Sequence, residues 1–423
     1  MINFPCKKHL VSLYNKIRYN RIRYKLSVRR RSIFLDEVIK KAKINVVFIA
    51  ANLAMWQYSH LYYLMKKNKR FNVNVIIAPL PNYSENERRD NANELKAYFS
   101  LNHIEYIDGQ DYNFDIEKEL KPDILFYTQY YTHVYKNNYD AWHFRSRLLC
   151  AYPYGFKDCN LPSSYNNSFQ NIAWKLYYAT NEDFKNAQNS AFNKGENVVV
   201  VGCPHADDFL STEINDVWKL QNIQKKRIIY APHFTIEKGL SPLFFSNFLK
   251  FGIFFQQIAN KYCDKIQFAF KPHPRLRTEL YKHKDWGKDK TDDYYAWWEN
   301  QDNTQLETEG FIDLFKTSDA MIHDCGSFSI EYLYTRKPIM YLSRDIEEIK
   351  KCKNEVGKNA LDTHYIGENE QDIINFIENT VLKGIDPMEK QREVFFENYL
   401  LPPNGKTVAQ NTLDDILQSL EIE

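Results

Sequence analysis

Three short stretches carry residue types that grip a phosphorylated ligand: APHFT (Ala231–Thr235), KPHPRLR (Lys271–Arg277) and HDCGSFSIE (His323–Glu331). Lys271, His273, Arg275 and Arg277 supply positive charge. The Gly326–Ser327 step, placed at a helix start, would offer backbone N–H groups and a hydroxyl to an anion. Glu331, one turn further on, is placed to accept ribose hydroxyls. Pro232, His233 and Phe234 complete the set, which together reads as a cradle for a nucleotide diphosphate. Each piece alone has a plain structural reading. Pro272 and Pro274 can stop a strand, Ser327 can cap a helix, and a histidine after a strand ordinarily makes a structural hydrogen bond. The conjunction of three such stretches, each following an apolar run, is what points to a site. The chain has no Walker A sequence and no GxGxxG, so NTPase and dehydrogenase readings lack support. The neighbouring pairs Cys203/His205 and His323/Cys325 lack zinc-site spacing, and no metal is expected.

The elements that must position these residues alternate between strand and helix. INVVFIAA (Ile44–Ala51) is a continuous apolar run, as suits a strand buried on both faces of a parallel sheet. QYSHLYYLMKKN reads as a helix, NVNVIIAPL as a strand, NERRDNANELKAYFSLN as a helix and PDILFYTQ as a strand. LLCAYPYG, LYYAT and NVVVVGCP continue the series. A second cycle starts near Arg227: strand RIIYAPHF, a long helix FFSNFLKFGIFFQQIANKYCD, strand IQFAFKPHP, a polar stretch with DDYYAWWENQDN, helix GFIDLFKTS, strand AMIHDC, helix FSIEYLYTR and strand KPIMYL. Strand–helix alternation is the signature of α/β sheets with right-handed crossovers. In such sheets ligands bind outside the carboxyl ends of the strands, where all three motifs fall. We expect a basic helical segment over 1–40, a Rossmann-like domain over 41–215 and a second over 216–423. The join is expected within Asp207–Lys226, and the final helices are candidates to cross back.

A chain of 423 residues with 44% hydrophobic content is long enough for two cores. The seven cysteines are odd in number and scattered, which fits reduced thiols in a cytosol rather than a disulfide framework. The net charge of +2 conceals an asymmetry. Residues 1–35 hold ten of the 56 basic residues and no acidic one, so the rest carries 46 basic against 54 acidic residues, a net −8. Leu10, Leu13, Tyr14 and Ile17 fall at helical spacing within that basic block, and Tyr24 and Val28 extend the stripe. Such a segment suits an anionic membrane surface; a helix packed on its own domain is the equal alternative. It lacks the apolar core of a signal peptide, and no apolar run of about 20 residues is present to span a bilayer. Aromatic residues are abundant throughout, so they give no special support to nucleic acid as a partner.

SDAMIHDCGSFSIEYLYTRKPIMYL (Ser318–Leu342) resembles the pattern S/T-D-x-x-I-T-D-Y-S-S-x-x-x-D-x-x-x-x-x-K-P of the CDP-glycerol glycerophosphotransferases of teichoic acid and capsule synthesis. FKPHP is similar to that family's basic residue before His-Pro, and YAPHFT stands where it carries A-P-T-W. The resemblance runs from Arg227 to Tyr341. It implies a GT-B-like fold of two Rossmann-like domains facing a cleft, a CDP-linked donor, a polymer or lipid-linked acceptor, no metal dependence, and attachment to the cytoplasmic face of the cell membrane. By the same resemblance, Pro232, His233 and Phe234 line the nucleotide or diphosphate end. Lys271 and His273 bind the diphosphate, with His273 stabilising the leaving phosphate; Gly326 and Ser327 hold phosphate oxygens, and Glu331 replaces an Asp near the ribose. The departures are Cys325-Gly326-Ser327 for Tyr-Ser-Ser and Glu331 for Asp. The family's W-H-G-T-P motif, whose histidine is its base, has no counterpart: CAYPYGF (Cys150–Phe156) stands in its place, leaving His60, His133 and His143 as unranked alternatives. The rival readings are a nucleotide-sugar glycosyltransferase of the same fold, a sugar-nucleotide epimerase, and a non-catalytic nucleotide-binding member of a capsule assembly complex.

Overall fold

The computed structural model describes residues 24–81, 83–110, 114–130, 135, 139–239, 244–308 and 310–422. It divides into two compact units: residues 1–154, 161–204 and 402–423 form the first, and residues 155–160 and 205–401 the second. His133, Leu10, Leu13, Tyr14 and Ile17 lie outside the described residues.

The first unit holds a parallel sheet of seven strands: β1 (Ile44–Ala50), β2 (Phe71–Ile77), β3 (Ile107–Asp108), β4 (Ile124–Tyr127), β5 (Leu148–Ala151), β6 (Lys175–Tyr178) and β7 (Val198–Val200), in the order β3-β2-β1-β4-β5-β6-β7. β1, β4 and β5 are buried along almost their whole length, which is why they read as unbroken apolar runs. Helix boundaries follow local chemistry. Ser84 and Glu87 form a reciprocal capping box at the start of the helix Glu85–Leu101. Residues 24–39 form a helix whose inner face docks on this unit: Tyr24 meets Phe192 edge-on at 5.3 Å, and Arg31 donates to the carbonyls of Ile172 and Ala173. The helix Val408–Ser419 also belongs here, with Thr412 bonded to Tyr152 and Asp415 to Lys175.

The second unit repeats the plan with six parallel strands: β8 (Lys226–Ala231), β9 (Ile266–Phe270), β10 (Thr304–Leu306), β11 (Ala320–His323), β12 (Ile339–Leu342) and β13 (Tyr365–Gly367), ordered β10-β9-β8-β11-β12-β13. This is the doubly wound order, and its reversal point lies between β8 and β11. The two strands are in register with Ala231 opposite His323. Both chains therefore leave the sheet at the same level, and the residues that follow become neighbours.

Three expectations need correction. The boundary falls between Pro204 and His205, ahead of Asp207–Lys226, because the helix His205–Phe209 and the turn after it are held by the Lys316 ammonium, which donates to the carbonyls of Asp208, Ser211 and Glu213. The stretch around DDYYAWWENQDN is not a polar connection; it lies in the helix Gly287–Asn300, which buries Tyr294, Tyr295 and Trp298 while its charged residues face outward. The run FSIEYLYTR makes one α-helical turn (Phe328–Glu331), then tightens into a 3-10 turn (Tyr332–Thr335) that Arg336 ends in left-handed conformation. Among the described residues no helix is long and apolar enough to cross a membrane.

Residues 155–160 reach the second unit through specific bonds. Lys353, 1% exposed, pairs with the buried carboxylate of Asp158, and Asn354 donates through its N–H to the Asp158 carbonyl and through its side chain to the Lys157 carbonyl. Gly357 is required where it stands, since a Cβ there would collide with the Asp158 carbonyl oxygen. Burial alone would pull the Lys353 ammonium down; the Asp158 carboxylate outweighs it and holds the ammonium above its ordinary value.

Candidate functional site

At the reversal point of the second sheet, one carboxylate fixes the loop that follows β8. Asp324 is fully buried directly after β11, and accepts the N–H of His233 on one oxygen and the N–H of Asn247 on the other, both at 2.5 Å. The two ends of the segment 233–247 are thus pinned to a single side chain. Burial pushes the Asp324 carboxyl up to about 7, against the opposing pull of these two N–H bonds and of Arg344.

The expected residues Pro232, His233, Phe234, Lys271, His273 and Arg275 come together beside that carboxylate. The His273 N–H donates to the Pro232 carbonyl at 3.0 Å, which ties the two strand ends to each other. The His233 and His273 rings lie 4.9 Å apart, His273 sits 4.5 Å from the Phe234 ring, and the Arg275 guanidinium covers the other part of Phe234 at 4.1 Å. Burial, followed by the neighbouring His273, holds His233 down at about 3; burial and Arg275 hold His273 at about 4. Both rings are neutral at pH 7, so the charge-assisted contact expected of His273 in the free protein is replaced by that of a neutral N–H donor. Lys271 is 7% exposed and lies close enough to Cys325 to act on its thiol, which burial nevertheless pushes well up. Arg277 turns away and is bound to Asp292 at 2.7 Å.

Gly326 and Ser327 are half-buried on the adjacent strand end. Ser327 caps nothing with its side chain, so the plain capping reading does not account for it. Asp158 lies 4.0 Å from where a Gly326 Cβ would stand. Glu331 is not the open carboxylate expected near a ribose: it is 3% exposed, and its Oε1 meets His205 Nδ1 at 3.1 Å. Gly155, at φ +59°, fits over this corner; a Cβ on it would stand 3.4 Å from Glu331 Oε1 and 4.0 Å from Ser327 Cβ. His143 is bound to Glu117 in the first unit, and His60 is exposed there on the helix Ser59–Lys67.

Sequence reasoning missed Asp324, Asp158, Lys353 and His205 as parts of this arrangement. Asp324 had a signal, since it stands inside the quoted HDCGS stretch at a strand end. His205 follows β7 in GCPH but was weighed only against zinc spacing. Asp158 and Lys353 are 195 residues apart and carried no signal. A separate cavity of ≈ 880 Å³ opens at the opposite, amino edge of the second sheet. Three of its cations are already engaged, Lys226 by Asp319, Arg227 by Asp216 and Lys337 by two carbonyls. Among the described residues no group of three or more His, Cys, Asp or Glu is arranged to hold a metal ion.

Two Rossmann-like parallel sheets, the second with polar loops gathered at its reversal point, make a GT-B-like fold. The chain belongs to the CDP-glycerol:poly(glycerophosphate) glycerophosphotransferase family, which matches residues 160–417, more than half of it. No curated protein matches the chain. Among solved structures it is similar to the UDP-GlcNAc 2-epimerase of Neisseria meningitidis bound to UDP-GlcNAc, at 14% identity over 89% of this chain and 100% of that one, TM-score 0.56. It is similar to S. aureus MnaA with UDP at 14% identity, over 90% and 98% of the two chains, TM-score 0.58. It is also similar to the wall teichoic acid polymerase TagF soaked with CDPG, at 14% identity over 96% and 98%, TM-score 0.53. At such identities these likenesses speak for the fold.

The Asp324 carboxyl has a raised value in the folded state, so its contribution to stability is present at low pH and is lost as pH rises from its ordinary value of 3.8 through about 7. Asp324→Asn should remove that slope. Urea midpoints measured from pH 4 to 8 are expected to show the wild type losing stability relative to the variant as pH rises; a constant offset between the two curves would refute the assignment.

Proposed function

We propose that the protein transfers glycerol phosphate from CDP-glycerol to a hydroxyl of a cell-surface polymer of the teichoic acid kind, and that the donor's diphosphate lies at the β8–β11 reversal point. The observation that carries this reading is the meeting of His233 and His273, with Lys271 and the Gly326–Ser327 turn following the flanking strands β9 and β11, in a chain of the CDP-glycerol family. In this reading Lys271 neutralises the diphosphate. The His233 and His273 ring N–H groups donate to the oxygens that gain charge as the nucleotide leaves, and Gly326 and Ser327 hold the transferring phosphate. Fixed donors in a half-buried site stabilise such charge more than water does. Arg275, stacked on Phe234, sets one wall. No divalent cation is assigned a role.

The second element of the proposal is attachment to the inner face of the membrane through residues 1–35. On the described helix Lys25, Arg29 and Arg30 are exposed together with Leu26 at 49% and Ile33 at 54%. Arg31 is committed to the Ile172 and Ala173 carbonyls and takes no part. Basic and apolar side chains interleaved on one outward face suit an anionic bilayer.

In EDTA, with CDP-glycerol and a short glycerophosphate primer, the wild type should turn over. His273→Ala should lower kcat by about 10²–10³, the typical loss of one such donor, with KM for CDP-glycerol little changed. Transfer from a UDP- or GDP-sugar in place of CDP-glycerol, or complete dependence on a divalent ion, would overturn the reading. Replacing Lys25, Arg29 and Arg30 together by Glu should weaken binding to phosphatidylserine vesicles by roughly two orders of magnitude or more, at about 1 kcal/mol per basic residue; unchanged co-sedimentation would remove the membrane element and leave the transferase intact.

A further inference from the structure

A histidine can act as a base only through a ring nitrogen that carries a lone pair and can be reached, and the hydrogen bond made by one nitrogen decides the state of the other. In the second unit the network assigns each ring. His273 Nδ1 accepts the Arg275 N–H at 3.1 Å, and His233 Nδ1 accepts the Thr235 N–H at 3.4 Å and faces the Thr235 hydroxyl, which can donate to it, at 2.9 Å. Both rings, being neutral, carry their proton on Nε2 and serve as donors. His283 is of the same form, its Nδ1 accepting from Asp285 while Nε2 meets Glu237. His323 Nδ1 accepts the Cys325 N–H, and its Nε2 is buried without a partner. His364 has the opposite tautomer, Nδ1 donating to the Ala360 carbonyl, but its Nε2 is buried as well.

His205 differs from all of these. Its Nδ1 donates to Glu331 Oε1 at 3.1 Å, which leaves the lone pair on Nε2 of the neutral ring. The His205 side chain keeps 12% of its surface exposed. Glu331, 3% exposed, fixes the ring from behind, while Phe311 meets it edge-on at 5.3 Å. A carboxylate that holds one nitrogen of an imidazole while the other faces the reactant is the arrangement of an oriented general base. The corner also borders the phosphate turn, since Glu331 Oε1 and Ser327 Cβ both lie within 4.0 Å of the one point where a Gly155 Cβ would stand.

We propose that His205, oriented by Glu331, is the general base that takes the proton of the acceptor hydroxyl. The inference rests on the transferase reading above. His205 Nε2 accepts the hydroxyl proton, and the oxygen's electron pair forms a bond to the glycerol-bearing phosphorus of CDP-glycerol. The bond from that phosphorus to the bridging oxygen breaks, its electron pair leaving on CMP, where the Nε2–H groups of His233 and His273 and the Lys271 ammonium meet the charge. The proton passes from His205 to solvent. The site thus divides its histidines by tautomer: two present protons to the leaving group and one presents a lone pair to the nucleophile.

The test pairs His205→Gln with His273→Gln in the CDP-glycerol assay. Glutamine can replace a ring N–H donor but cannot take up a proton at neutral pH. His205→Gln should therefore lose about 10²–10⁴ in kcat, the usual contribution of a general base, with CDP affinity by calorimetry within about threefold of wild type, while His273→Gln loses less. Added imidazole should restore part of the turnover of His205→Ala, which a merely structural role would not allow. A His205→Gln enzyme within about threefold of wild-type kcat, or one that loses CDP affinity instead of kcat, overturns the base assignment alone. A wild type that turns over no CDP-glycerol overturns both readings together. Should His205→Gln fail to fold, long-range ¹H–¹⁵N spectra of the wild type decide: the Nδ1–H tautomer is expected at His205, and the Nε2–H tautomer refutes the proposal.

Discussion

The carboxylate of Asp324 accepts two backbone N–H groups, one from each end of the segment 233–247, while itself fully buried after β11. Everything in the candidate site hangs from this contact. The register that sets Ala231 opposite His323 brings Pro232 and Asp324 out of the sheet side by side. The carboxylate then fixes His233, His233 fixes the neighbourhood of His273, and the His273 N–H locks the β9 exit onto Pro232. A buried carboxylate is costly unless its oxygens are satisfied, so the loop and the acid stabilise each other: neither conformation is favoured without the other.

The same site shows how burial tunes two histidines, His233 and His273. His233 and His273 are half-buried beside cations and are held neutral, which suits donors that must not bind anions indiscriminately. His205 has a buried carboxylate behind it instead. Environment, more than residue type, separates their roles, and the separation follows from which nitrogen the nearest backbone or side-chain group engages. Residues 155–160 contribute from a distance in sequence, through the Asp158–Lys353 pair and through Gly155 over Glu331. Gly155, from the segment Cys150–Phe156, thereby stands over the Glu331–Ser327 corner.

The strands, the alternation and the three strand-end motifs were legible in the sequence because each depends on local pattern. A strand buried on both faces reads as a mostly apolar run, as at Ile44–Ala50 and Ile266–Phe270, where Asn45 and Gln267 are the polar exceptions. The chain leaves these strands by switching abruptly to polar residues with Pro, His, Gly and Ser among them, as it does after Ala231, Phe270 and His323. The helix Gly287–Asn300 was misread because its charges mask an apolar stripe at Tyr294, Tyr295 and Trp298.

Tertiary structure alone decided the rest, because it depends on which distant side chains meet. Glu331 looked like an open carboxylate until the fold set His205, 126 residues earlier, against it. Asp158 and Lys353, 195 residues apart, look like ordinary charged residues in the sequence, yet they are buried partners. The histidine tautomers lie furthest beyond sequence: every ring has the same two nitrogens, and only the three-dimensional neighbour of one determines whether the other gives a proton or takes it.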